Sequence, residues 1–252
     1  MSYTALINCW ANAASATKQD AAEHAQAILE SMKQSDDPKV QPNSMTYSAI
    51  IRAHSNAGQP EMAERCLYEM LDEFQTHGKY EVQPDVYTFG LVLTAWSKST
   101  AAEAPERAER LLAEMQGLYE TGIISSRPNV YCFGSVLSCW KNSKLNGAAD
   151  RAESILRSMQ QNGDVQPNLV LYNTVIDAYS NLAVTTTNST GSEIDSKEET
   201  NGSKDEQINR SVQRAVALFD ELLEIAEGRK DDGNWSLKEP PLDSLLSSIS
   251  HR

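Results

Sequence analysis

The chain repeats itself. An aromatic residue stands at Tyr3, Tyr47, Phe89, Phe133 and Tyr172, and each opens the same pattern of apolar residues. Counted from each aromatic, apolar side chains fall three, four and seven places on, as at Leu6, Ile7 and Trp10, or at Val92, Leu93 and Trp96. That spacing draws one stripe down an α-helix. The seventh place holds Trp10, His54, Trp96, Trp140 and Tyr179, and the place before it is always small, as Cys9, Ala53, Ala95, Cys139 and Ala178. The alternation of bulky and small suits interdigitated layers and predicts that the whole bulky column is core. A short unit repeated in this way cannot bury its apolar face alone, so the pattern predicts a stack of units with a continuous core, an architecture whose usual task is binding.

A second helical stripe follows in every unit. It reads Ala25, Ile28, Leu29, Met32, then Ala63, Cys66, Leu67, Met70, then Ala108, Leu111, Leu112, Met115, then Ala152, Ile155, Leu156, Met159, and last Ala215, Leu218, Phe219, Leu222. Each unit is therefore a helical hairpin. Between units stand Pro42-Asn43, Pro84-Asp85, Pro128-Asn129 and Pro167-Asn168. Proline keeps the residue before it out of the helical region, and Asn or Asp caps the helix that follows. The aromatics are 44, 42, 44 and 39 residues apart, and the unevenness lies in loops, whose growth costs only about 0.6 kcal/mol per doubling of length. The expectation is an all-α solenoid with units at about 1–43, 44–85, 86–129 and 130–168 and the first helix of a fifth reaching residue 182.

These residues resemble the pentatricopeptide repeat: an opening Tyr or Phe, a middle Ala-x-x-[aliphatic]-Leu-x-x-Met helix and a closing Val-x-Pro-Asn/Asp. Ser44 to Asp85 carries the likeness most plainly, and Asn168 to Tyr179 is close to the family's opening. The tetratricopeptide repeat, a protein-binding solenoid, lacks the proline-closed junction and stands second. The resemblance implies a right-handed superhelix whose first helices line the inner surface and bind single-stranded RNA, roughly one base per unit. It assigns base reading to the residue after each aromatic, here Thr4, Ser48, Gly90, Gly134 and Asn173. It assigns support of that reading to the closing residue, here Asn43, Asp85, Asn129 and Asn168. It assigns base stacking to the residue two before the aromatic, here Met1, Met45, Tyr87, Tyr131 and Val170. By the same resemblance Thr4 with Asn43 favours adenine, Ser48 with Asp85 a purine such as guanine, and Asn173 a pyrimidine, whereas Gly90 and Gly134 have no side chain with which to reach a base. Organellar transcripts, mitochondrial or plastid, are the implied targets, with other RNA-processing proteins as further partners.

Charge tests that reading. The chain has 22 basic and 35 acidic residues, a net charge of -13, the wrong sign for strong phosphate attraction. In the five first-helix segments, however, the bases are Arg52, Lys98 and Lys141 and the lone acid is Asp177. The presumed groove is mildly basic, which predicts weak affinity with a shallow salt dependence. The acids gather on the second helices and loops, as Glu103, Glu106, Glu109 and Glu114, and read as a solvated outer face that leaves room for a protein partner. A non-catalytic protein-interaction scaffold is accordingly the alternative function.

Residues 183–208 are polar and low in complexity and read as a disordered insert within the fifth hairpin, whose second helix is expected at 209–227. A polar tail follows at 228–252, in which Pro241, Leu242, Leu246 and Ile249 suggest a truncated sixth unit. Met1 lies two residues before the first aromatic, as expected for a fragment of a longer array or an incomplete gene model. Cys9, Cys66, Cys132 and Cys139 are spread over three units without metal-ligand spacing and read as reduced small hydrophobes. No nucleophile motif, phosphate loop or paired carboxylates are evident, so neither an enzyme nor a cofactor is expected. Neither a membrane span nor a signal peptide is evident.

Overall fold

The computed structural model describes residues 3–15, 20–162, 165–188 and 199–231. Among them ten α-helices follow one another: α1 (Tyr3–Ala13), α2 (Asp20–Lys33), α3 (Ser44–Asn56), α4 (Pro60–Gln75), α5 (Val86–Lys98), α6 (Ala104–Glu120), α7 (Val130–Asn142), α8 (Ala148–Asn162), α9 (Leu169–Asn188) and α10 (Glu199–Asp231), with one 3-10 turn at Tyr80–Val82. Among the described residues there is no β-strand, and the fold is an α-solenoid of helical hairpins.

The junctions work as their chemistry dictates. Asn43 and Asp85 each close a capping box with the threonine three places on: Asn43 Oδ1 accepts from Thr46 N at 3.0 Å and Asp85 Oδ1 from Thr88 N at 2.9 Å. Asn129 and Asn168 cap α7 and α9 through Cys132 N and Leu171 N, both at 3.1 Å. Pro60 and Pro105 occupy the first turns of α4 and α6, where the missing N–H costs nothing. The tightest hairpin turn, Ala57 to Gln59, needs Gly58 at φ 72°, a left-handed conformation that a side chain would strain.

Two layers result. Consecutive first helices pack on one another, α1 on α3, α3 on α5, α5 on α7 and α7 on α9; α2, α4, α6 and α8 each pack on the first helices of their own and the next unit, and α10 packs on α9. Among the described residues the backbones of second helices stay apart, and long side chains bridge them instead. Close packing on one layer and longer reach on the other bend the stack toward the first helices, whose outer surface becomes the concave face. The core between the layers contains Tyr47, Phe89 and Tyr172 from the opening column and His54, Trp96, Trp140 and Tyr179 from the seventh, while Trp10, the first member of that column, is only partly buried against it. Phe133 packs partly buried against the same core. Tyr3, in the first unit, is half exposed.

Three helix limits differ from expectation. The stretch 183–208 read as disordered, yet its backbone is helical at 183–188, where α9 continues, and at 199–208, where α10 has already begun. The stretch holds no proline to stop either helix, and once a helix is nucleated on a packed partner each added residue costs little, whatever its polarity. Residues 189–198 lie outside the described residues. Of the tail, 228–231 complete α10, and 232–252, with the suggested sixth unit, lie outside the described residues, as does Met1.

Candidate nucleic-acid interface

Four residues of the stacking column stand at the N-termini of α3, α5, α7 and α9. Met45, Tyr87, Tyr131 and Val170 are 66%, 53%, 60% and 57% exposed. Large apolar side chains placed singly on a surface mean nothing. A row of them, one per unit at the same register, is a different matter, because each keeps apolar area in water that the repeat elsewhere buries.

Around the second unit the candidate residues converge. Asn8, Ser44, Met45, Ser48, Ala49, Arg52, Asp85 and Tyr87 line one cleft of about 260 Å³. It thus holds that unit's base-reading, closing and stacking candidates together with the next unit's stacking residue and a guanidinium. Ser48 Oγ donates to Ser44 O at 2.8 Å, which leaves its lone pairs as acceptors. Arg52 is held across the unit boundary, donating from a terminal nitrogen to Asn8 Oδ1 at 2.6 Å. Asp85 spends one carboxylate oxygen on its cap, and Asn43, Asn129 and Asn168 likewise use their Oδ1. Thr4 and Asn173 are half-buried on α1 and α9.

The two glycines face the next repeat at different closeness. A Cβ at Gly90 would lie 3.4 Å from Tyr131 Cδ1, and one at Gly134 would lie 3.2 Å from Leu171 Cδ2. In both units a side chain of the next repeat stands beside the place where a base-reading group would start, in ordinary contact at Gly90 and tightly at Gly134.

The lysines do not join the cleft. Lys98 closes α5 and lines a separate cavity of about 660 Å³ between the hairpin turns of the third and fourth units, with Lys144, Ser99, Thr100 and Asn142. Lys141, near the end of α7, offers its carbonyl to Asn181 Nδ2 at 3.4 Å. That bond belongs to a ladder: Asn56 donates to Ala11 O at 3.1 Å and Asn142 to Ser97 O at 3.2 Å. The three asparagines stand nine places after their aromatics and satisfy carbonyls at the C-terminal ends of the preceding first helices. Lys98 occupies that column in the third unit.

Much of the acidic surplus is structural rather than solvated. Trp96 Nε1 donates to Glu64 Oε2 at 2.7 Å, Trp140 Nε1 to Glu109 Oε2 at 3.2 Å, and Tyr179 OH to Glu153 Oε2 at 2.8 Å. Each carboxylate also pairs with an arginine of the next unit's second helix, Arg107, Arg151 and Arg214 respectively, and Arg107 lies over the Trp96 ring at 5.4 Å. Glu114 accepts from Tyr68 OH at 2.7 Å. Glu109 and Glu114 therefore bridge units, whereas Glu103 and Glu106 are exposed as their sequence context indicates. His54, which replaces the aromatic of its column, is held below the usual imidazole range by burial, with its bond to Gln59 at 2.8 Å working the other way.

Cys66, Cys132 and Cys139 are buried free thiols and Cys9 is exposed; burial pushes Cys66 up to about 11 and Cys139 up to about 12. Among the described residues no cluster of metal-ligating side chains occurs and no helix is long and apolar enough to cross a membrane.

Sequence comparison agrees with this geometry. A family profile described as the pentacotripeptide-repeat region of PRORP matches residues 1–124, and one described as a pentatricopeptide repeat domain matches residues 110–181. Together they span both layers from α1 into α9. A pentatricopeptide repeat-containing protein of Arabidopsis thaliana is 34% identical over 62 residues, which are 25% of this chain and 10% of that relative. The chain spans only a small part of that relative's length.

Proposed function

We propose that this chain, which belongs to the pentatricopeptide-repeat family, binds single-stranded RNA sequence-selectively along its concave first-helix face. The observation that carries the reading is the exposed row Met45, Tyr87, Tyr131 and Val170 at one register of successive helices. Aromatic and soft apolar faces at regular intervals suit stacked bases, each worth about 1 to 3 kcal/mol. The second unit's cleft, with Ser48, Asp85 and Arg52 around one space, supports hydrogen bonding to a base edge. Thr4 with Asn43 and Asn173 on α9 extend the same columns, and Lys98 and Lys141 supply phosphate attraction at the edge of the face. The protein acts without catalysis of its own, in processing, stabilisation or translation of mitochondrial or plastid transcripts, alongside other RNA-processing proteins.

The test is selection of bound sequences from a random single-stranded RNA pool at low and moderate salt, with single-stranded DNA as competitor. A short enriched motif with adenine and guanine for the first and second units, and a pyrimidine for the fifth, is the expected outcome. A second reading, a protein-interaction scaffold, is favoured by the acidic second helices: α4 alone carries Glu61, Glu64, Glu69, Asp72 and Glu73 against Arg65. No enrichment from a well-folded helical protein would select it.

A further inference from the structure

We infer that the third and fourth units do not read bases: their slots are filled by the protein itself, so that selectivity is divided between the first two units and the fifth. The inference rests on the RNA-binding reading and concerns which places along the strand carry information.

At the third unit the occupant is Tyr131. Its ring lies beside Gly90, in ordinary contact with the position of a Cβ there, 3.4 Å from Cδ1 and 3.5 Å from Cε1. Its hydroxyl meets Thr94 Oγ1 at 2.8 Å, and Thr94 gives its own proton to the Gly90 carbonyl at 2.7 Å. Tyr131 must then be the donor in that pair. The phenol is thereby fixed across the boundary between α5 and α7. Its donor is spent inside the protein, and its exposed face remains for stacking. At the fourth unit the occupant is Leu171, whose Cδ2 would stand 3.2 Å from a Cβ at Gly134. The equivalent residue, just before the aromatic, is Thr46, Thr88 or Cys132 in the second, third and fourth units. Leu171 is itself buried and caps no polar group toward the face.

What polar capacity remains at these two units is the closing pair Asn129 and Asn168, whose Oδ1 atoms already accept from Cys132 N and Leu171 N. A lone amide N–H donor finds an acceptor on every base, so it discriminates poorly. By contrast the second unit sets Ser48, Asp85 and Arg52 around a single cleft. The third and fourth units are spacers that hold a base by its face and leave its identity free.

The experiment reads base frequencies position by position in RNA selected by the full chain, with Ser48→Asn used to mark the second unit's position. Expected are two adjacent positions beside the marked one with base preferences below about twofold, and a preference of roughly tenfold at the marked position, as a satisfied pair of base-edge contacts provides. The variant Gly90→Asn with Tyr131→Val places in these two columns residues that the array uses there already, Asn173 and Val170. It should gain a preference of about fivefold at the third unit's position with helical content unchanged. A tenfold preference at either spacer position in the unaltered chain would overturn the inference and leave RNA binding standing, as would a folded double variant that stayed flat. Absence of RNA binding to any sequence would overturn both.

Discussion

Glu64→Ala should be among the most damaging single changes in this chain, although it alters a surface-type residue on the outer layer. The Glu64 side chain is 6% exposed, accepts from the buried indole of Trp96 at 2.7 Å and pairs with Arg107 at 3.0 Å. Removing it strands the Trp96 N–H, which costs about 1–3 kcal/mol for a buried donor without a partner. It also leaves Arg107, whose Nε is already buried without a partner. Because the Arg107 side chain is about a third exposed and can rehydrate, the usual loss for breaking a buried pair applies only in part. We expect about 2–4 kcal/mol in all. The homologous Glu109→Ala serves as the internal comparison. Glu109 is 24% exposed, its arginine partner 52% exposed, and its indole bond is longer at 3.2 Å, so about 1 kcal/mol is expected. Urea unfolding followed by circular dichroism gives both values. A cycle with Trp96→Phe isolates the stranded donor, because phenylalanine leaves none, and should show coupling of about 1–2 kcal/mol. Equal losses at Glu64 and Glu109, or coupling below about 0.5 kcal/mol, would refute the view that these carboxylates are inter-unit ties.

Three other perturbations discriminate further features. Gly90→Ala should stabilise by about 0.5–1 kcal/mol through helix propensity, because its Cβ makes an ordinary contact, while Gly134→Ala should lose that gain against buried Leu171 at 3.2 Å; equal shifts in melting temperature would contradict this. For His54, whose folded pKa is depressed by burial, the unfolded chain takes up the proton first. Its contribution is therefore intact above about pH 6.5 and is lost as pH falls below that value. His54→Gln should flatten the fall in melting temperature between pH 7.5 and 5.5 (conditions chosen about the imidazole range), and an unchanged slope would count against it. Lys98→Asn should complete the asparagine ladder by donating to the Ser55 carbonyl, adding about 0.5–1 kcal/mol, and should weaken binding to all RNA sequences alike; an unaltered RNA affinity and salt slope would remove Lys98 from the phosphate path.

The fold was legible because its determinants are local and repeated. The aromatic-led stripe names the packed face of α3, α5, α7 and α9, although in α1 Tyr3 and Leu6 stay exposed, and the proline-Asn/Asp pairs mark where those four helices start. The ties between units were hidden, because Glu64 and Trp96 are 32 residues apart and an acid between polar neighbours looks like any solvated one. A signal existed all the same. Glu64, Glu109 and Glu153 each follow the second-helix alanine, and Arg107, Arg151 and Arg214 each precede it; compared column by column, the acids and bases fall in fixed places. The asparagine ladder has the same kind of signature, nine places after the aromatic. The meaning of Gly90 and Gly134 was beyond such reading. An absent side chain does not disclose what fills its space, and here that is Tyr131 or Leu171 from the next unit. The helical ends flanking 189–198 escaped for a simpler reason: composition reports how little apolar area a stretch can bury, not whether a packed neighbour will carry its helix further.

The unequal inter-unit ties also set how the array yields under load. Successive first helices touch along their backbones and form the spine about which units turn, while the outer layer resists only through its bridging side chains. All three arginines reach solvent, but Glu64 and Glu153 are sheltered at 6% and 5% exposed, whereas Glu109 is 24% exposed, so its bridge to Arg151 is the one that dissolved ions screen most readily, within about 10 Å. Compliance is therefore concentrated at the joint between the third and fourth units. The coil behaves as two stiffer segments with a soft middle, and its curvature there follows ionic strength first.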